Sequence, residues 1–366
     1  MSPLVTSRIP VRLTPLVGRE RELRDVVDTL SHNRLLTLTG PGGTGKTRLA
    51  LAAASAVSAC YPDGVCWVEL APLDDPGIVA RVIAHQLGVP DSPGQDPATA
   101  IAEHVGNRSI LIVLDNCEHL VSTVADLAEL LLGSCPALSV LATSREVLGV
   151  DGERSWPVPS LSLPEAGTLA TAASLAESGA ARLFEHRAQL VFPSFRLGDD
   201  NAAAVAAVCR RLDGLPLAIE LAAAQMRMLS VEQLAEHLGK IFTVLVGGAR
   251  TAPRRHQTLR ATLDWSHDLL DSDERAVFRR LAVFSDGFVL PAAEQVTAGN
   301  GIAVEGLLGL LARLADKSLL RVEIGRSGAR YYLLSTVRAY ALERLAEAGE
   351  EEAAQRAHLW WVVGLV

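Results

Sequence analysis

Short apolar runs alternate with amphipathic stretches over the first 165 or so residues. Leu35–Thr39, Val65–Leu70, Ile110–Leu114 and Ser139–Thr143 are five or six residues long and dominated by Leu, Ile and Val. Runs of that length and composition predict strands buried on both faces. Between them, residues 20–30, Lys46–Ala59, Ile78–Leu87, Ala98–Val105 and Leu120–Leu132 repeat their apolar positions at helical spacing; Leu23, Val26, Val27 and Leu30, for example, share one face. Strands that alternate with helices predict a parallel sheet covered on both sides.

The rhythm changes after about Pro164. From Thr168 to Leu238 the pattern is almost wholly helical, with apolar spacing in Ala181–Val191, Ala203–Leu212 and Ala218–Met226. The stretch 247–253, Gly-Gly-Ala-Arg-Thr-Ala-Pro, reads as a linker. Beyond it, Gln257–Leu270 is a predicted helix, and Asp271-Ser272-Asp273-Glu274 is a capping box that opens a second helix through Phe284. Val304–Leu314 is a third. Leu319–Glu323 and Tyr331–Leu334 then flank the turn Ile324-Gly325-Arg326-Ser327-Gly328 as a hairpin, and another helix begins near Thr336. Three helices and a hairpin are the plan of a winged helix. The expected domains are 14–164 (α/β), 165–246 (helical), 247–346 (winged helix) and 347–366, the start of a helical C-terminal region. The final apolar run from His358 to Val366 resembles the first half of an amphipathic helix, as in a fragment of a longer protein.

Composition narrows the function. Apolar residues make up 49% of the 366, so the chain can bury a sizeable core. The net charge of −8 argues against wholesale binding to nucleic acid or anionic membrane, leaving only a local basic patch open. The five cysteines form no CxxC pair and lie in or beside apolar stretches, which predicts buried, reduced thiols. The nine histidines lack metal-ligand spacing. The first 13 residues hold no signal-peptide core, and no apolar run reaches about 18 residues. A cytoplasmic protein without membrane contact is expected.

The chemistry concentrates in Gly40-Pro41-Gly42-Gly43-Thr44-Gly45-Lys46-Thr47, which fits G-x-x-x-x-G-K-[ST]. Glycines let backbone N–H groups converge on phosphate oxygens, and the helix that follows adds its N-terminal dipole. Lys46 is placed to neutralise β- and γ-phosphates, and Thr47 to offer a hydroxyl to Mg²⁺. Gly40, Gly42, Gly43, Thr44, Gly45, Lys46, Thr47 and Arg48 are the candidate nucleotide contacts. Asp115 ends the apolar strand Ile110–Leu114, and its carboxylate is the second candidate for organising Mg²⁺, with Thr47. The next residue is Asn116, whose amide cannot take a proton from water. Glu118 is the nearest carboxylate able to polarise water; the other reading is a solvated glutamate at a helix start. Arg145 ends the next strand, at the sheet edge where ligands bind. It either reports a γ-phosphate or makes a surface salt bridge. Lys46, Asp115, Glu118 and Arg145 are the catalytic candidates.

Together these residues resemble the STAND class of P-loop ATPases, the group that contains NB-ARC domains and many bacterial regulators. The resemblance spans roughly 14–346. Leu16-Val17-Gly18-Arg19-Glu20 is similar to the N-terminal motif of that class, which implies that Val17, Gly18 and Arg19 lie against the adenine. Gly214-Leu215-Pro216-Leu217 resembles the GLPL motif, which implies that Pro216 packs on the base. Leu-Asp-Asn-Cys-Glu-His at 114–119 and Thr-Val-Arg-Ala-Tyr-Ala at 336–341 are most like actinobacterial regulators. One departure stands out: where the class often has Met-His-Asp, this chain has Leu333-Leu334-Ser335, so a histidine contact to ADP is lost, with Arg338 as a weak substitute.

The resemblance implies an ATP/ADP switch with Mg²⁺ and slow hydrolysis, self-association in the ATP state, and an effector or sensor domain of unknown kind. The rivals are a constitutive ATPase, which Asn116 disfavours, and a DNA-binding regulator acting through its winged helix. The predicted recognition helix, Val304–Lys317, is leucine-rich, with one Arg and one Lys balanced by Glu305 and Asp316. It is expected to be buried, so direct DNA contact is disfavoured.

Overall fold

The computed structural model describes residues 9–11, 13–90, 94–165, 170–238, 245, 258–299, 301–325 and 328–364. Two compact units emerge: Met1–Gly40 with Gly45–Pro159, and Pro41–Thr44 with Ser160–Val366.

The first unit holds a five-stranded, all-parallel sheet. Its strands are β1 Leu35–Thr39, β2 Val65–Glu69, β3 Leu111–Asp115, β4 Ser139–Thr143 and β5 Arg154–Pro157, in the spatial order β2-β3-β4-β1-β5. Register pairs Leu36 with Leu141 and with Arg154, and Val113 with Leu141. Alternation along the strands divides the core. Leu36, Leu38, Leu111, Val113 and Leu141 point to the side of α1 (Glu20–His32) and α2 (Lys46–Val57). Leu35, Ile112, Leu114, Val140 and Ala142 point to α3 (Val79–Leu87), α4 (Pro97–Val105) and α5 (Val121–Ser134). Both faces are dry, which is why these strands read as continuous apolar runs. The sequence did not predict β5. Arg154-Ser155-Trp156-Pro157 is short, polar and proline-ended, and such a strand is tolerated at an edge, where it pairs on one side only.

The second unit is helical up to its hairpin. α6 (Ala172–Ala176), α7 (Gly179–Val191), α8 (Ala202–Arg211), α9 (Pro216–Ala224) and α10 (Val231–His237) come first. The residue before α9's leader, Gly214, has φ +65°, and a Cβ there would lie 2.4 Å from the Leu161 carbonyl oxygen. Leu161 N–H in turn donates to Gly214 O at 3.0 Å, so only glycine fits that approach.

The later described elements are α11 (Leu259–Asp268), α12 (Ser272–Arg280), α13 (Leu290–Thr297), α14 (Val304–Asp316), the antiparallel hairpin β6 (Arg321–Gly325) and β7 (Gly328–Tyr332), α15 (Ser335–Glu347) and, beyond the expected winged helix, α16 (Glu351–Val363). The capping box is present: Asp271 accepts from Glu274 N–H at 2.8 Å, and Glu274 from Asp271 N–H at 2.9 Å. Three expectations need correction. Among the described residues four helices precede the hairpin in this part, because Leu290–Thr297, opened by Pro291, was missed. The second helix changes to 3-10 geometry at Leu281–Val283 before Phe284. The hairpin strands also lie about two residues nearer the turn than predicted, and Phe288 bridges to Tyr331. The linker at 247–253, residue Gln257 and the turn residues Arg326 and Ser327 lie outside the described residues.

Cys66, Cys117, Cys135 and Cys209 are buried free thiols, and burial pushes Cys66 and Cys209 up to about 12. Cys60 is exposed, contrary to expectation, because it sits in the 3-10 turn that ends α2. No described helix is long and apolar enough to cross a membrane.

Candidate nucleotide-binding site

The site forms where β1, β3 and β4 end. β1 runs into Gly40 (φ 145°), and α2 starts at Lys46 behind Gly45, whose φ of 91° is left-handed. No side chain caps α2, so its first N–H groups, which have no intrahelical acceptor, are presented to the loop. Lys46 Nζ donates to Gly40 O at 2.6 Å, curled back over the loop that it closes. Thr44 is buried and donates to Pro41 O at 2.9 Å, which makes it a brace of the loop tip.

The oxygen cluster beside α2 is the best-defined chemistry in the molecule. Thr47 Oγ1 donates to Asp115 Oδ1 at 2.8 Å, and Thr143 Oγ1 donates to the same oxygen at 2.6 Å. The strand order explains the second contact: β4 lies directly beside β3, so their C-terminal residues meet. Burial pushes the Asp115 carboxyl above the ordinary aspartate range, the two hydroxyls oppose that shift, and the Glu118 and Glu69 carboxylates add to it. A carboxylate held in this way beside a threonine hydroxyl suits a hard cation, which also draws ligands from phosphate and water. Among the described residues no group of three or more His, Cys, Asp or Glu could hold a metal ion. Asp115, Thr47, Lys46 and the loop fit Mg²⁺–ATP.

Thr143 was not singled out from the sequence. Its signal was available: a hydroxyl residue at the last position of a buried parallel strand. Its hydroxyl also accepts from Asn116 N–H at 2.9 Å, while its carbonyl accepts from Cys117 N–H. This holds Asn116 in a left-handed conformation (φ 70°), which asparagine tolerates.

The structure bears on the surface readings of Glu118 and Arg145. Neither is at the surface. Arg145 Nε donates to Glu118 Oε1 at 3.1 Å, and the side chains are only 4% and 5% exposed. Burial opposes the charged form of Glu118, but Arg145, then Lys46, hold its carboxyl below the usual glutamate range. Its other oxygen, Oε2, is buried without a hydrogen-bond partner.

Other candidates have different surroundings. Arg48 Nη2 donates to Thr14 O and Pro15 O at 2.8 and 2.6 Å, tying α2 to the segment before the N-terminal motif. Gly18 is left-handed (φ 70°) and Val17 is half-buried. Arg19 is buried, pairs with Glu22 at 3.0 Å and donates to Pro159 O; desolvation lowers its pKa. Arg19 thus anchors the motif to the far end of the same unit. Pro216 is the first residue of α9, where its missing N–H costs nothing. The next residue, Leu217, donates its N–H to Gly43 O at 3.1 Å, within the second unit to which the loop tip belongs.

The Leu333-Leu334-Ser335 segment leads into α15, which has no cap of its own. Asp213, two residues before Leu215, supplies one: its Oδ2 accepts from Thr336 N–H at 2.9 Å and Thr336 Oγ1 at 3.1 Å. Arg338 donates to Ala282 O at 2.8 Å, which occupies its Nε within the winged helix.

Residues 28–146 match the AAA domain family, and residues 270–346 match the winged helix-turn-helix domain family. A Mycobacterium tuberculosis protein named as an HTH-type transcriptional regulator is 47% identical over 323 residues, 88% of this chain and 35% of that protein. A second M. tuberculosis protein, uncharacterized, is 43% identical over 343 residues, 93% of this chain and 84% of its own length. The chain belongs to the family of the second protein, which it matches over most of both lengths. The P-loop ATPase domain read from the motifs is borne out by the AAA match, as is the expected fold of a parallel α/β P-loop unit, a helical part and a winged helix. The chain spans about a third of the length of the HTH-type relative. In fold it is like the Walker-type ATPase of Pyrococcus abyssi, with TM-score 0.54, 13% identity, and coverage of 91% of this chain and 99% of that one.

Proposed function

We propose that this chain is a nucleotide-dependent switch of the STAND type, cytoplasmic, in which ATP or ADP with Mg²⁺ sets the state of a transcription regulator. The observation that supports it most is the meeting of Thr47, Asp115 and Thr143 beside an uncapped helix N-terminus. Lys46 would hold the β- and γ-phosphates, Thr47 and Asp115 the metal, and Arg145 would report the γ-phosphate. The bound Mg²⁺ would neutralise charge on the phosphates. Hydrolysis is slow in this reading because Asn116 follows Asp115 and because Glu118 is engaged by Arg145. A ligand shifts such an equilibrium only through different affinities for the two states. The Asp213 cap gives α15 a direct tie to the Leu215–Pro216 turn, a route for that difference. The domains keep the limits 14–164, 165–246 and 247–346 in this reading, and the ATP state self-associates.

The winged helix-turn-helix match favours a second reading, DNA contact. The helix before the wing does not suit it. α14 buries Leu307, Leu310, Leu311 and Leu314 but exposes the other face, including Val304, Glu305 and Leu308, which corrects the expectation of a buried helix. Its two cations are balanced differently from the sequence reading. Arg313 and Lys317 both bind Glu274, at 2.9 and 2.6 Å, rather than facing Glu305 and Asp316 alone. The one arginine of this helix, Arg313, is the only forked donor on that exposed side, and its Nε is engaged by Glu274.

The test is to identify the nucleotide that co-purifies with the chain and to measure turnover with and without Lys46→Ala. Bound ADP or ATP with few turnovers supports the switch. Fast multiple turnover without a partner would sink it.

A further inference from the structure

Glu118 and Arg145 are the charged pair that the nucleotide reading leaves half explained. A buried carboxylate with one oxygen unpartnered is expensive, and a structural ion pair would be expected to use both oxygens. The pair is also placed at the reactive end of the site. Glu118 lies three residues beyond Asp115, Arg145 two beyond Thr143, and the Lys46 ammonium is close enough to stabilise the Glu118 charge. A γ-phosphate arriving there brings a second anion to a desolvated spot already holding one, with Arg145 as the guanidinium between them.

We propose that Glu118 is the resting partner of Arg145 and competes with the γ-phosphate for it, so that this glutamate sets how strongly the site prefers ATP over ADP. The proposal rests on the nucleotide-site reading above and adds a specificity-determining residue to it. In the diphosphate state, Arg145 keeps its bond to Glu118. In the triphosphate state, the guanidinium turns toward the γ-phosphate, and the Glu118 carboxylate is left with both oxygens to hold water. The cost of parting the pair is subtracted from the binding of ATP and not from that of ADP. Preference for ATP is thereby held low, as a switch that must release one state for the other requires.

The experiment is titration calorimetry of the full chain with Mg²⁺ and either ADP or the non-hydrolysable analogue AMP-PNP. Four proteins are compared: wild type, Glu118→Gln, Arg145→Gln and the double variant. Glu118→Gln keeps the shape and removes the charge, turning a charge-assisted bond into a weaker neutral one. The AMP-PNP/ADP affinity ratio should rise roughly tenfold in Glu118→Gln. In the Arg145→Gln background the same glutamate change should do nothing, because the coupling runs through the arginine. A ratio that stays level or falls in Glu118→Gln overturns the proposal, and so does a gain that persists without Arg145, which would be plain repulsion between carboxylate and phosphate. Binding of ADP by each variant shows that it has folded. Arg145→Lys serves as the second variant if Arg145→Gln does not fold, with the gain expected to shrink. Failure of the wild type to bind either nucleotide removes the nucleotide-site reading itself and the proposal with it, and that failure is visible in the first titration.

Discussion

Two buried glutamates, one in each unit, make a useful contrast. Glu274 in the winged helix is 1% exposed and has both carboxylate oxygens in use. Oε1 takes Arg313, and Oε2 takes Lys317 and the Asp271 N–H. Glu118, at the end of the sheet, is as deeply buried but engages Arg145 through one oxygen and leaves the other unpartnered. Desolvation is a similar burden for both. Where both oxygens are engaged, the charge serves the fold: Glu274 ties α12 to the end of α14 and caps its own helix. Where they are not, the group is positioned for something that comes and goes. Burial of a charged pair therefore says little about role until its unused capacity is counted.

The largest expected effect falls on the structural glutamate. Glu274→Ala should cost about 3 kcal/mol in urea unfolding, since it strands two cations and a helix start, while leaving Mg²⁺–ADP affinity within about twofold. A loss of nucleotide binding without a loss of stability would reverse the contrast. Next, Thr143→Val removes a hydroxyl that orients Asp115 and should weaken Mg²⁺-dependent nucleotide binding roughly tenfold, read by comparing titrations with and without Mg²⁺. An unchanged Mg²⁺ dependence would place the metal elsewhere. Glu118→Gln should lower stability by under about 1 kcal/mol, clearly less than Glu274→Gln, because it gives up one bond rather than three.

The smallest effect concerns pH. Glu350 accepts from Arg279 and Arg280, whose hydrogen bonds hold its carboxyl down to about 2. A depressed folded pKa means stability that is fully present above the unfolded value of 4.5 and lost as pH falls toward 2. Arg279→Met should therefore narrow that acid-side margin in a pH series of melting temperatures, and an unshifted acid limb would show the pair to be idle.

Much of this was legible in the sequence because it rests on local pattern. β1 to β4 are apolar runs with both faces buried, and the loop from Gly40 to Thr47 carries its chemistry in consecutive residues. Asp115 was legible because it ends a strand. What escaped depends on neighbours distant in the chain. β5 is a strand only because β1 offers it an edge. Thr143 matters because β4 happens to lie beside β3. Leu290–Thr297 is too short to show a helical period, and its boundary is set by packing. The fates of Arg313 and Lys317 turned on Glu274, some 40 residues away, which no spacing rule reaches. Glu118 and Arg145 were picked out one at a time, but their mutual burial could not be read without knowing that the ends of β3 and β4 converge.

The central claim, that Gly40–Thr47 with Asp115 binds Mg²⁺–ATP, is tested most directly by titrating the wild-type chain and Lys46→Ala with Mg²⁺–ATP. The account predicts one site per chain in the wild type and an affinity lower by roughly a hundredfold in Lys46→Ala, with both proteins folded. Binding of equal strength in the two, or none in the wild type, would contradict it.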